Sequence, residues 1–299
     1  MTTVHSPYDG DGTWLRGNLH AHSTASDGAR TPERVVEHYA AEGYDFLALS
    51  DHDTLVDPAD HRADTDMVLV PAVEVSDRGP HTLHVGASEA VEPHADRQRV
   101  LDAVADSEGF AVPAHPNWQS AFAHWPHEEL ERVTGYAGIE IYNGLIEQHP
   151  GAATATDRWD RLLSAGRRVW GFANDDAHRA WEVARGWNVV QVAERTPSAI
   201  LDALTAGRFY ASTGVTVRTV EVADGEIRVE TDDAQCIRLV SDYGVVHRTV
   251  DGRAATFSVP ADLVHDYPER DIGAASYVRV ECHGRGTDRA WLQPMFLDR

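Results

Sequence analysis

The chain has 299 residues, with 48 acidic against 26 basic side chains for a formal net charge of −22, and every basic residue is an arginine. A 42% apolar fraction supports a packed core and excludes disorder and fibrous repeats. No apolar run is long enough to span a bilayer and the first residues lack a basic, apolar leader, so the expectation is a soluble cytoplasmic protein with no membrane partner.

Strong acidity without lysine matches the composition of proteins adapted to molar salt, where the Debye length falls to about 3 Å. A surface of this sign repels a nucleic-acid backbone unless metals intervene, so a small-molecule substrate is expected rather than a nucleic-acid polymer. Cys236 and Cys282 fit no metal-binding spacing and read as free thiols.

In chain order, strand-like runs fall at 14–19, 46–49, 68–75, 83–87, 110–113, 138–142, 169–173 and 187–192. Helical patterns lie between several of them. Thr31 precedes Pro32, and Val35, Val36 and Tyr39 make an apolar face. Segments 94–108 and 152–165 read the same way, and Thr196-Pro197 opens a further helix with Ile200, Leu201 and Leu204 inside. Repeated β-then-α units predict a parallel sheet closed into a barrel over residues 1–212. After Gly214 the texture changes: strands at 215–222, 226–231, 236–241, 245–250, 255–259 and 277–281, separated by turns, predict a small all-β, sandwich-like domain over 213–299.

Fourteen of the 17 histidines precede residue 179, several of them where a predicted strand ends. His20 and His22 form an HxH pair, and residues two apart in an extended segment point the same way. Asp27 follows on the next loop. Later strand ends carry Asp51-His52-Asp53, Glu74, His84, His115 and Asp175-Asp176-Ala177-His178. One such piece alone is weak, but this many in barrel order predict a metal centre. Imidazole and carboxylate without thiolate suit Zn²⁺, Mn²⁺ or Fe²⁺.

The ordered segments GNLHAHSTASDG, LALSDHDT, PAVEVS, VPAHPN and NDDAH resemble the polymerase and histidinol phosphatase (PHP) metal-dependent hydrolases over about residues 14–212. The resemblance implies an α/β fold, a distorted (β/α)7 barrel with two or three divalent ions. By position, His20, His22, Glu74 and Asp176 resemble the ligands of a first ion, and Glu74, His84 and His115 those of a second, with Glu74 bridging. Asp27, His52 and His178 resemble those of a third. His84 is preferred over His81, which follows Gly79-Pro80. Asp51, Asp53 and Asp175 are read as groups orienting ligands, and Asn143 as a residue lining the cleft or a turn residue. The ending AWLQPMFL looks like a branch with a C-terminal β-domain that includes carbaryl-type hydrolases.

The implied activity is hydrolysis by a hydroxide bridging the ions, most simply phosphoesterase action on a small phosphorylated metabolite or nucleotide. Aryl ester or carbamate hydrolysis is the alternative, and a non-catalytic metal-binding module a third. Asp53 and His178 are candidates to assist the leaving group. Among Arg78, Arg179 and Arg185, Arg179 is the candidate phosphate ligand beside the DAH motif, against a surface ion pair. Trp118 and Trp181 are read as an aromatic wall or as loop packing.

Overall fold

A computed structural model describes residues 3–8, 10, 12–61, 65–259, 261–263 and 275–298. The first part of the chain runs β1 (Val4–His5), β2 (Thr13–Asn18), α1 (Pro32–Ala41), β3 (Phe46–Leu49), β4 (Val68–Val75), β5 (Thr82–Val85), α2 (Arg97–Ala105), β6 (Phe110–Pro113), α3 (His127–Arg132), β7 (Gly138–Asn143), α4 (Thr156–Ser164), β8 (Trp170–Asn174), β9 (Trp187–Val192), α5 (Pro197–Ala206) and β10 (Phe209–Ser212). Eight strands complete it: β11 (Val217–Ala223), β12 (Glu226–Thr231), β13 (Cys236–Ser241), β14 (Val245–Asp251), β15 (Ala254–Ser258), β16 (Tyr277–His283), β17 (Arg289–Leu292) and β18 (Met295–Leu297).

Local chemistry explains the helices. In α1, Pro32 stands at the first turn and Val35, Val36 and Tyr39 are buried. The Asp96 side chain accepts from the Gln98 N–H, so α2 starts later than the pattern at 94 predicts. Thr196 caps α5 through the Ala199 N–H, and Gly207 ends that helix at φ 78°, a left-handed conformation that suits a residue without Cβ.

The strands form a mixed sheet rather than the regular parallel barrel the β-then-α alternation predicts. The pairs β2–β3, β3–β4 and β7–β8 are parallel. The pairs β2–β9, β4–β5 and β5–β6 are antiparallel. Between β4 and β5 lie only residues 76–81, too few for a crossover, so those two strands meet as a hairpin. A bridge from Ala111 to Tyr136 and the Asn188 amide on the Ala173 backbone seat β7 and β8 between β6 and β9. The fold is a mixed α/β one.

Beyond β9 the sheet continues without a break through β10, β17, β16 and β18 to β1, with β13 attached to β16 and β14 to β13. Residue 212, where the sequence changes texture, therefore lies inside a continuous sheet. Strands β11, β12 and β15 make a second, antiparallel sheet. Its Val217, Ile227, Val229 and Phe257 share one core with Ile237, Leu239, Val278 and Val280 of the larger sheet. A separate core under the functional site combines Leu15, Phe46, Val70, Leu83, Val112 and Phe172 with Ile200 and Leu204 of α5. Both cysteines are free. Among the described residues no helix is long and apolar enough to cross a membrane.

Candidate metal centre

The sheet delivers its chemistry at one end. His20 and His22 follow the end of β2, and Ala21 between them bridges Ala177, which sets them beside Asp176 and His178 after β8. A bridge from His52 to Glu74 brings the segment after β3 to the end of β4. His115 follows β6. Both His115 (φ 31°) and Asp176 (φ 56°) have left-handed backbones, sparsely populated conformations of the kind that cluster at functional sites.

Glu74 is the hub. Its Oε1 lies 3.3 Å from His20 Nε2, 3.0 Å from His81 Nδ1 and 3.1 Å from His115 Nε2. Its Oε2 lies 3.3 Å from His22 Nε2 and 3.0 Å from His52 Nδ1. Asp176 Oδ1 stands 3.2 Å from both His20 Nε2 and His22 Nε2. To one side, Asp27 Oδ1 lies 3.2 Å from His178 Nε2 and 3.7 Å from His52 Nε2.

These residues fit divalent cations. His20 Nε2, His22 Nε2, His52 Nδ1 and Glu74 Oε2 are buried and make no hydrogen bond, although they crowd to within 3.0–3.3 Å of one another's partners. Orphaned nitrogen lone pairs aimed at carboxylate oxygens are costly unless an ion lies among them. Burial works against a charge on His20, yet Asp176, Glu74 and Glu140 outweigh it and hold its pKa well above the usual value. His22 likewise overcomes burial through Asp176 and Glu74 and is pushed up to about 9. Burial would raise Glu74, but His20, His81 and His115 hold it well below the carboxylate range. The site demands positive charge, which metal ions provide in place of those protons. Sets of three or more ligand atoms within reach of one ion are, among the described residues, His20–Glu74–His115, His20–His22–Asp176, His52–Glu74–His81, His81–His115–His124 and His22–Asp27–His52–His178.

The candidate ligands are held from behind by a buried polar chain. Glu140 Oε1 accepts from His20 Nδ1 at 2.8 Å and from the Asn174 amide at 2.8 Å, while Oε2 accepts from the His115 N–H at 2.7 Å and from Asn143 Nδ2 at 2.9 Å. Asn143 Nδ2 also reaches Asp176 Oδ2 at 3.2 Å, so this residue is part of the support rather than a plain turn. Glu140 is the residue that sequence reasoning passed over. An acid in the middle of the otherwise apolar strand GIEIYN was the available signal.

Several expected roles change. His84 does not face Glu74: it is buried on the other side of β5, where Nε2 bonds the Glu108 carbonyl at 2.7 Å. His81, three residues earlier, stands beside Glu74 instead, because it lies just before β5 begins and is not bound by the strand's alternation. Its own N–H donates to His124 Nε2, a further imidazole with no signal in the ordered motifs. Asp53 is not free to act as an acid or base, since its carboxylate accepts from the Ser76 N–H and hydroxyl and the Asp77 N–H. Asp51 braces the loop carrying Asp27 by accepting from Ser23 and Ser26 rather than orienting His52. Asp175 gathers Tyr39 and the N–H groups of 184–186. Arg179 lies outside the cavity, its side chain 57% exposed near Glu182 and over the Trp181 ring. His178 remains at the site, its pKa lowered by burial and by His22.

A cavity of about 190 Å³ opens onto this cluster, lined by Asp27, His52, Glu74, His81, His115, Asp176 and His178 together with Trp118, Leu145, Ile146 and His149.

Residues 163–209 match a family model described as PHP-associated. A 5'-3' exoribonuclease of Haemophilus influenzae is 44% identical over 62 residues, 20% of this chain and 23% of its own length. A 3',5'-nucleoside bisphosphate phosphatase of Chromobacterium violaceum is 42% identical over 72 residues, 23% of this chain and 25% of its own. The chain thus spans about a quarter of the length of these curated relatives. A two-domain protein of Bacteroides vulgatus containing a PHP-like metal-dependent phosphoesterase superposes over 96% of this chain and 88% of its own, with a TM-score of 0.54 at 17% identity. That likeness is one of fold, and it spans both the metal-centre half and the C-terminal strands. The matched segment makes this chain similar to PHP-associated proteins over residues 163–209, and its fold is similar to that of a protein containing a PHP-like metal-dependent phosphoesterase.

Proposed function

We propose that the protein is a metal-dependent phosphoesterase that hydrolyses a small phosphorylated metabolite or nucleotide, holding two or three divalent ions (Zn²⁺, Mn²⁺ or Fe²⁺) at Glu74. The observation that carries this reading is Glu74 itself, ringed by His20, His22, His52, His81 and His115 with several of their ligand atoms lacking any hydrogen-bond partner. Bound ions would supply Lewis acidity to the ester oxygen and lower the pKa of water at the site. The residues that would hold the ions are His20, His22, Glu74 and Asp176 with His52, His81 and His115, and Asp27 and His178 to one side.

The chain's own groups position this chemistry. Glu140 Oε1 holds the proton on His20 Nδ1, which leaves Nε2 as a lone pair facing the centre. Asp27, with a side chain 57% exposed, would hold an ion at the open edge of the centre beside His178. Trp118, Leu145 and Ile146 add apolar surface to the cavity lining. The phosphatase and the exoribonuclease with which short stretches are shared support a phosphate ester as substrate, and the second keeps nucleic acid open despite the net charge of −22.

A second reading, hydrolysis of aryl esters or carbamates by the same centre, is favoured by one observation: among the described residues no arginine lines the cavity. Turnover of p-nitrophenyl phosphate and 1-naphthyl acetate by metal-stripped protein reloaded with Mn²⁺ or Zn²⁺ tests both. The expected result is metal-dependent release from the phosphate ester, reduced on the order of 10³-fold in Glu74→Gln, a loss of about 4 kcal/mol of transition-state stabilisation. Full activity after chelation, or release only from the acetate, overturns the phosphoesterase reading.

A further inference from the structure

The part of the cavity lining outside the His and carboxylate cluster comes from two segments. Trp118 lies in the loop after β6, and Leu145, Ile146 and His149 lie just past β7. A bridge between Trp118 and Gly151 ties these segments together. The indole meets His81 and His115 edge-on, with ring centroids 5.6 and 5.1 Å apart. A ligand seated on Glu74 therefore lies beside an indole and two branched aliphatic side chains, with His149 at the exposed edge.

What the cavity lacks among the described residues is equally specific. No arginine lines it, and the chain has no lysine. Arg30 and Arg179 line a separate small pocket that shares only His178 with this cavity. Arg78 lies beside Asp77, and the Arg185 guanidinium donates to the Trp181 carbonyl. One phosphoryl group on the centre can be neutralised by divalent ions, but a second would face apolar carbon with no guanidinium or ammonium to receive it, which is costly. An aromatic or compact apolar group placed there instead buries apolar surface and can stack on the indole. At about 190 Å³ the cavity is smaller than the roughly 300–1,000 Å³ of pockets for larger ligands.

Resting on the phosphoesterase reading above, we propose that the substrate is a phosphate monoester with a single phosphoryl group on an aromatic or compact apolar alcohol, and that Trp118, Leu145 and Ile146 select the alcohol. Hydrolysis consumes one water, breaks the P–O bond to the alcohol, and returns the free alcohol and inorganic phosphate. Nucleoside bisphosphates are disfavoured, in contrast to what the name of the similar phosphatase suggests.

The test uses the full chain loaded with Mn²⁺ and compares kcat/KM for phenyl phosphate, glycerol phosphate, a nucleoside 5'-monophosphate and a nucleoside 3',5'-bisphosphate. Phenyl phosphate is expected to exceed glycerol phosphate by at least about tenfold, or about 1.4 kcal/mol. The bisphosphate should fall below the monophosphate, and Trp118→Ala should collapse the phenyl-to-glycerol ratio towards one. A bisphosphate preference, or a ratio unchanged in both Trp118→Ala and Ile146→Ala, overturns the proposal while leaving the phosphoesterase reading intact. If no phosphate ester is cleaved, that reading fails instead. Calorimetric binding of phenylphosphonate against methylphosphonate then judges the wall separately: tighter binding of the phenyl compound, lost in Trp118→Ala, supports it, and equal binding refutes it.

Discussion

Which nitrogen of His20 is free is decided by Glu140, a residue buried beneath the centre that touches no candidate ion position directly. Its carboxylate receives four donors, two of them from ligand residues, and it stays charged because His20 overcomes the upward push of burial. Replacing it with Gln keeps the shape but swaps two acceptor oxygens for one. The expected outcome is metal affinity weakened about 10- to 100-fold in calorimetric titration. The exchange between His81 and His84 gives a second comparison. His81→Ala should lower the metal content found by elemental analysis. His84→Ala should leave it unchanged while costing about 2 kcal/mol or more in stability, because a buried imidazole and its bond to the Glu108 carbonyl are lost. Sequence pattern could not separate these two: the register of β5 against β4 turns His84 away from Glu74, whereas His81 lies in the loop before β5, where no alternation fixes its direction.

At the scale of elements, one buried ion pair joins the helix before β8 to the C-terminal strands. Arg279 of β16 donates through Nε and a terminal nitrogen to the two Asp160 oxygens of α4, both at 2.8 Å, and its guanidinium lies over the Trp159 ring. Tyr277 adds its hydroxyl to Asp160 at 2.9 Å. Asp160→Ala leaves a buried guanidinium with one acid fewer and should cost about 3–5 kcal/mol in denaturant unfolding. Arg279 also binds Glu281. Burial would raise that carboxyl, but Arg279 outweighs it and brings the pKa to about 2. A carboxyl depressed in the fold adds stability that is present above its unfolded pKa of about 4.5 and is lost as pH falls towards 2. Thermal unfolding between pH 6 and 3 should therefore show a steeper acid loss in the parent protein than in Glu281→Gln. Most strands here were legible from alternation and turn residues: β12 and β13 have the bounds their apolar patterns predict. The partner helix for Arg279 was not, because nothing local marks a pairing across 119 residues.

For the whole molecule, the dominant physical term beyond the core is charge. A net −22 without a single lysine repels itself at low salt and is screened at molar salt. The melting temperature should rise by roughly 10 °C or more between 0.1 and 2 M KCl, as a differential scan would show. A flat or falling curve would count against salt adaptation. Metal removal should act in the same direction as low salt, because Glu74 and Asp176 then lose the cations that offset their burial. A chelated sample melting at the same temperature as the loaded one would mean that the cluster holds no ion tightly.

The sequence alone determined residue chemistry and most of the regular segments: which stretches alternate, where Thr196 caps α5, and which imidazoles and acids fall near strand ends, although Thr31 makes no cap bond and β1, β10, β17 and β18 left no readable pattern. Those features depend on neighbours in the chain, so they can be read without coordinates. The tertiary structure alone decided that the sheet is mixed and runs unbroken past residue 212, and that His81 rather than His84 stands beside Glu74. It also put Asp53 and Arg179 out of the centre and Glu140 beneath it. Each of these depends on pairing register and on packing between segments far apart in sequence, where a shift of one residue reverses the face a side chain meets.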